Sequence, residues 1–340
     1  MASYMYKVLG TPTGTTKNTL SVWMKKSKVG TEESLIFANG NQGGINPRAD
    51  DKIQFYNAGG TLRTDRLFRD TSAWYHIVFT TDTTLSTADD RLKVYINGVQ
   101  ETSFTTRTNP SQNAASNLGT ATEHIIGANN DPANYFDGLM SHIQMVDGLA
   151  LPPTEFGSTD ATTGEWKIKT SSYGTLGNNG FHITFDNPAD IGASTNSNNF
   201  TPNANLKPTQ DNPSNVFATW NPLDNFYGSA TFSNGNNTIV TGYSSFAANT
   251  STLGMVSGKW YCEIKAVNIY NGYAQFGIKG RVSTATNDKG GTGTDGYIYT
   301  ANGGQKVNNN SYTSYGTVWN NNDIIGIALD LDNNKLYFSR

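Results

Sequence analysis

Asn-Gly and Asp-Gly pairs punctuate this chain from end to end: Asn39-Gly40, Asn97-Gly98, Asp137-Gly138, Asp147-Gly148, Asn179-Gly180, Asn234-Gly235, Asn271-Gly272, Asp295-Gly296 and Asn302-Gly303. Such pairs favour the type I′ hairpin turn, whose two central residues need positive φ and whose twist matches the flanking strands. Between the pairs, apolar residues alternate with polar ones, and helical periodicity is almost absent. Many short strands joined by tight turns predict an all-β chain of sandwich or jelly-roll type.

Two strand-rich stretches stand in series. The first centres on Trp74 to Phe79 and on Leu92 to Val99. The second centres on Lys259 to Ile264 and on Ile324 to Leu331. Residues 157–213 between them are mostly Thr, Gly, Asn, Ser and Pro, too long for a plain loop inside one domain. This predicts a sandwich over 1–157, a polar connector over 158–215 and a second sandwich over 216–340. The connector carries two strand-like islands, Glu165–Lys169 and Gly180–Phe185, expected to add one or two strands to a neighbouring sheet. In the first module Leu20, Val22 and Met24 share one strand face. Apolar residues on both faces of Trp74–Phe79 predict a central strand covered on both sides.

Charged residues make up 15% of the 340, and the net charge is -3. No basic field exists to hold nucleic acid by counterion release. No apolar run is long enough to cross a membrane as a helix. A single cysteine, Cys262, excludes an internal disulfide, and its place in an alternating strand predicts a buried, inert thiol. The chain opens at Met1 without a cleavable leader, so an extracellular role would need an exit other than the signal-peptide route.

Residues for chemistry are sparse. His76, His124, His142 and His182 fall singly on separate strands without zinc spacing, which predicts packed or hydrogen-bonded rings. No Gly-x-Ser-x-Gly elbow is present. Asp330 and Asp332 alternate as a glycosidase pair would, yet Asp332-Asn333-Asn334 reads better as a turn. The Gly-rich run from Lys289 to Gly296 lacks the end of a phosphate-binding loop. Loop aromatics beside Asn remain, the chemistry that sugar faces select: Tyr270 and Tyr273 around Asn271-Gly272, and Tyr312 and Tyr315 after Asn308-Asn309-Asn310.

The strand Leu20–Lys25, the Trp74-Tyr75-His76 strand, the Val94–Val99 hairpin and Phe136-Asp137-Gly138 resemble a laminin-G/concanavalin A-like sandwich. Ser257–Glu263, Phe276-Gly277-Ile278, Gly296–Tyr299, Asn322–Gly326 and Asp330-Leu331-Asp332 resemble a SPRY domain. Asp147–Gly157 and Asn215–Asp224 are similar to segments that recur in virion and tail-fibre proteins of tailed, especially marine, bacteriophages. The resemblance implies a non-enzymatic structural protein of the virion, assembled in the host cytoplasm and acting outside it. Its partners would be other virion proteins and a host-surface glycan, engaged as a homotrimer. It also implies Ca2+ at a loop end, where Asp131 and Asp137 flank Asn129, Asn130 and Asn134. A purely architectural decoration protein and a polysaccharide depolymerase are the rival readings. SPRY strands such as Lys335–Ser339 usually run on into a further hairpin, so the chain is expected to be a piece of a longer protein.

Overall fold

Alternation becomes strand throughout the computed structural model, which describes residues 3–38, 43–129, 133–203, 206–225, 228, 230–242, 247–281 and 290–340. The chain divides into two units, Met1–Phe217 and Ala218–Arg340. In the first lie β1 (Met5–Val8), β2 (Lys17–Lys26), β3 (Ile36–Ala38), β4 (Gly43–Pro47), β5 (Ile53–Asn57), β6 (Gly60–Thr64), β7 (Tyr75–Asp82) and β8 (Leu92–Ile96). They are followed by β9 (Val99–Gln100), β10 (Phe104–Thr108), β11 (Glu123–Ile126), β12 (Gly138–Asp147), β13 (Gly157–Thr159), β14 (Trp166–Ile168), β15 (Phe181–Ile183) and β16 (Thr201–Pro202).

Among the described residues these strands make an eight-stranded sheet, ordered β10-β6-β5-β4-β3-β11-β1-β16, and a six-stranded sheet, ordered β15-β12-β2-β7-β8-β9. Their pairing is antiparallel. Every second residue of each strand faces the opposite sheet. Leu20, Val22 and Met24 of β2, Ile77 and Phe79 of β7, and Val94 of β8 meet Ile36, Ile45, Phe55 and Leu62 in one apolar core. Phe55 and Phe79 join the two sheets with ring centroids 5.4 Å apart. The β8–β9 turn is the expected one, with Asn97 at φ 49° and Gly98 at φ 79°.

The outward face of the six-stranded sheet is not left to water. Phe156 and Leu176, with Leu151 and Tyr173, pack on Val78, Val146 and Tyr95. Trp166 lies against Gly98, where a Cβ would collide with its ring. The described residues of 158–215, expected as a connector, therefore form a third layer. They supply β14 to a hairpin with β13, β15 to the six-stranded sheet and β16 to the eight-stranded sheet. This layer is why all of β2 past Lys17 is buried.

The second unit contains β17 (Ala230–Ser233), β18 (Thr238–Thr241), β19 (Lys259–Lys265), β20 (Gln275–Lys279), β21 (Gly296–Thr300), β22 (Gln305–Asn308), β23 (Ser311–Ser314), β24 (Ile324–Asp330) and β25 (Lys335–Ser339). They form a β17–β18 hairpin, a sheet β19-β24-β25 and a sheet β20-β21-β22-β23. Its core is small: Ala266, Tyr299, Ala301, Trp319 and Ile325, with Phe276 and Phe338 packed against it. Cys262 corrects the expectation of a buried thiol, because it is exposed. It shares its sheet face with the buried Ile325 and Ile327, but β19 is an edge strand and the core does not reach that far. Trp260, two residues away on the same face, is 46% exposed for the same reason.

Candidate functional site

The four tyrosines expected to hold sugar do not converge. Tyr270 and Tyr273 flank a tight turn that leads into β20, whereas Tyr312 lies on β23 and Tyr315 just beyond it. β20 and β23 are opposite edges of one sheet, three strand spacings or ~14 Å apart. Tyr315 already has a packing role. Its ring meets Tyr299 and Phe338 edge-on, and its hydroxyl accepts the Phe338 N–H at 2.9 Å.

Of the two aspartates expected to bind calcium, Asp131 lies outside the described residues. Asp137 is ion-paired with Lys28 at 2.5 Å. Among the described residues no group of three or more His, Cys, Asp or Glu is placed to hold a metal ion. Asp330 and Asp332 are turn-formers: Asp330 accepts from the backbone and side chain of Asn333, and Asp332 accepts the Gly258 N–H at 2.8 Å.

The histidines are integrated into the fold. His76 is stacked between Trp23, 4.6 Å away, and Trp166, 5.9 Å away. The indole N–H of Trp166 can only donate, so His76 Nδ1 accepts at 2.9 Å and the ring proton sits on Nε2. From there it donates to Ser21 Oγ at 2.8 Å, so in this tautomer the ring cannot take a proton from Ser21. Burial pushes the His76 pKa down to about 3. His124 accepts the Gly119 N–H through Nε2 and is held low, to about 4, by its burial.

A cavity of about 520 Å³ opens where the third layer crosses β12. Phe136, Gly138, Met140 and His142 line one wall, Met5 and Ile126 the sandwich end, and Thr184, Phe185, Asp186, Leu206 and Asp211 the covering segment. Its size falls within the range of small-ligand sites, and its lining mixes rings with a few polar groups. Two walls hold backbone strain. His142 has φ 45° at a bulge where the β2–β12 register slips between Ser141 and Gln144, and Phe185 has φ 66°. For bulky side chains these are uncommon conformations that the surroundings must enforce. His142 and His182 face each other at 5.6 Å. Burial first, and then His142, lowers the His182 pKa to about 4, while Asp186 opposes the shift.

One end of the cavity is fixed by Asp211. It accepts from Lys25 Nζ at 2.8 Å and from the Trp74 indole N–H at 2.9 Å. Lys25 also donates to the Phe217 carbonyl at 3.2 Å. Asp211 is thus fully engaged, and the arrangement offers shape, rings and hydrogen-bonding groups for holding a ligand. Sequence reading missed this site, because its walls come from distant segments. The one trace is the three-residue step between the inward Met140 and Ile143, which marks the bulge.

Residues 6–155 match the laminin-G-type model of the concanavalin A-like lectin/glucanases superfamily. The first unit therefore contains a concanavalin A-like lectin/laminin-G domain, and further β-sheets follow it. No curated protein matches the chain. Among solved structures it is similar to a protein from Bacteroides ovatus described as carbohydrate-binding, at 14% identity and TM-score 0.44. That likeness covers 63% of this chain and 59% of the Bacteroides protein. It is also similar to a pentraxin from Limulus polyphemus (14% identity, TM-score 0.32, 44% of this chain and 71% of that one). A third is the mouse laminin α1 region LG4-5 (13% identity, TM-score 0.31, 42% and 38%).

Proposed function

We propose that this protein binds carbohydrate through its lectin-type unit, as a tail-fibre or surface-appendage protein of a tailed bacteriophage that contacts host-surface glycan. The observation that carries the binding reading is the lectin-type domain of residues 6–155, with a cavity of ligand size at its margin. Phage origin, the SPRY-like nature of the second unit and a homotrimeric state rest on the sequence resemblance. Trimerisation would turn weak single-site sugar affinity into useful avidity. In this reading the protein holds its glycan rather than cleaving it, since the second carboxylate of the cavity, Asp211, is locked to Lys25 and Trp74.

The test is to incubate the purified protein with host cells and their isolated surface polysaccharide, measuring retention and polymer length. Retention without shortening supports a binding appendage. Shortening overturns the non-enzymatic reading, and absence of both overturns carbohydrate binding in favour of an architectural virion role. Light scattering that finds a monomer counts against the trimer.

A further inference from the structure

Lys26 continues the inward row Leu20, Val22, Met24 on β2, so strand alternation directs an ammonium group into the end of the apolar core. It is 1% exposed, and Nζ has no hydrogen-bond partner among the described residues. The ion contact it makes is to Asp51 Oδ1 at 4.0 Å, too long to be a hydrogen bond. An amine buried this way costs several kcal/mol unless it is neutralised or bonded.

The carboxyl opposite is held in place on several sides. Asp51 sits at φ 63°, its backbone N–H donates to Arg48 and its carbonyl accepts from Phe68. Gly30 N–H donates to Oδ1 at 2.6 Å and Arg69 Nε to Oδ2 at 2.8 Å. Two such donors draw charge from the carboxyl carbon and would stabilise the oxyanion of a tetrahedral intermediate. Glu33 is 3% exposed, with Oε2 unpartnered among the described residues. Its carboxyl lies within electrostatic range of Lys26, and burial raises its pKa to about 7, suited to passing a proton near neutrality.

We propose that Lys26 and Asp51 are the two ends of an intramolecular isopeptide cross-link, an amide between Lys26 Nζ and Asp51 Cγ. Within the buried pair one ammonium proton passes from Lys26 to an Asp51 carboxylate oxygen. The neutral Nζ then attacks Cγ, a C–N bond forms and the bond from Cγ to that protonated oxygen breaks. Glu33, as the carboxylate, accepts a second proton from the attacking nitrogen and delivers it to the already protonated departing oxygen, which leaves as water. Nothing is oxidised or reduced, and no co-reactant is needed. The product removes both buried charges. It also ties β2 to the turn before β5, restricting the unfolded chain as a disulfide would, in a protein whose lone Cys262 cannot form an internal one.

Intact-mass measurement of the denatured full chain tests this directly. The expected mass is one water below that of the sequence, and proteolysis should release a branched peptide joining the Lys26 and Asp51 segments. Lys26→Arg should restore the full mass. Glu33→Gln, checked for folding by circular dichroism, should slow closure by on the order of a hundredfold. A wild-type chain at full sequence mass overturns the proposal, as does a water loss that maps to any other residues.

Discussion

Lys25 and Asp211 stand 186 residues apart in sequence and form an ion pair of 2.8 Å inside the first unit, their side chains 3% and 2% exposed. The pair fastens the third layer to the middle of the six-stranded sheet. Trp74 completes it by donating to the other carboxylate oxygen.

Asp211→Ala should leave Lys25 charged and buried, with the Trp74 N–H unpaired. Removing one partner of such a pair costs ~3–5 kcal/mol. Urea denaturation should show that loss, and the double variant Lys25→Met/Asp211→Leu should recover most of it. A single variant as stable as wild type would mean that water already reaches the pair.

A chain ending at residue 157 should fail to fold cooperatively, whereas one ending at Phe217 should melt in a single transition. The shorter form uncovers Val78, Val146 and Tyr95 and removes β15 and β16 from their sheets. Thermal melts followed by circular dichroism compare the two.

Acid should destabilise the first unit between about pH 6.5 and 3. Burial depresses the folded pKa of His76 to about 3 and of His124 and His182 to about 4. Below pH 6.5 the unfolded state therefore binds protons that the folded state does not, and stability falls with pH. Glu33 acts oppositely. Its folded pKa, raised to about 7 from 4.5, gives stability that is complete below pH 4.5 and lost as pH rises through 7. Denaturation midpoints from pH 3 to 8 should show both limbs, and Glu33→Gln should flatten the upper one.

Phe185→Gly should weaken glycan retention by at least about tenfold, ~1.4 kcal/mol, because it removes a ring from the cavity wall. Glycine accepts φ 66° without strain, but the ring also packs against the sandwich core, so a thermal melt should first establish that the variant is folded at the assay temperature. Tyr312→Ala should leave retention unchanged. If the tyrosine variant loses binding and Phe185→Gly does not, the sugar site lies in the second unit.

Much of the architecture was legible because strand alternation is a local property. Leu20, Val22 and Met24 share a face by the two-residue repeat alone, and Asn97-Gly98 specifies its turn by the φ values it tolerates. The buried lysines were not legible. Nothing local marks Lys25 and Lys26 as interior; only the third layer over Lys25 and the core beside Lys26 bury them. Cys262 failed in the opposite sense, since alternation assigns a face but not whether anything covers it.

The sequence by itself determined an all-β chain, its strand faces and its hairpin turns, since these follow from side-chain period and backbone preference within a few residues. Only the tertiary structure decided that the segment 158–215 forms a layer rather than a connector, that a cavity opens at the β12 bulge, and that Lys26 meets Asp51. Each depends on contacts between segments far apart in the chain, and a local pattern carries no information about which distant surface will exclude water from it.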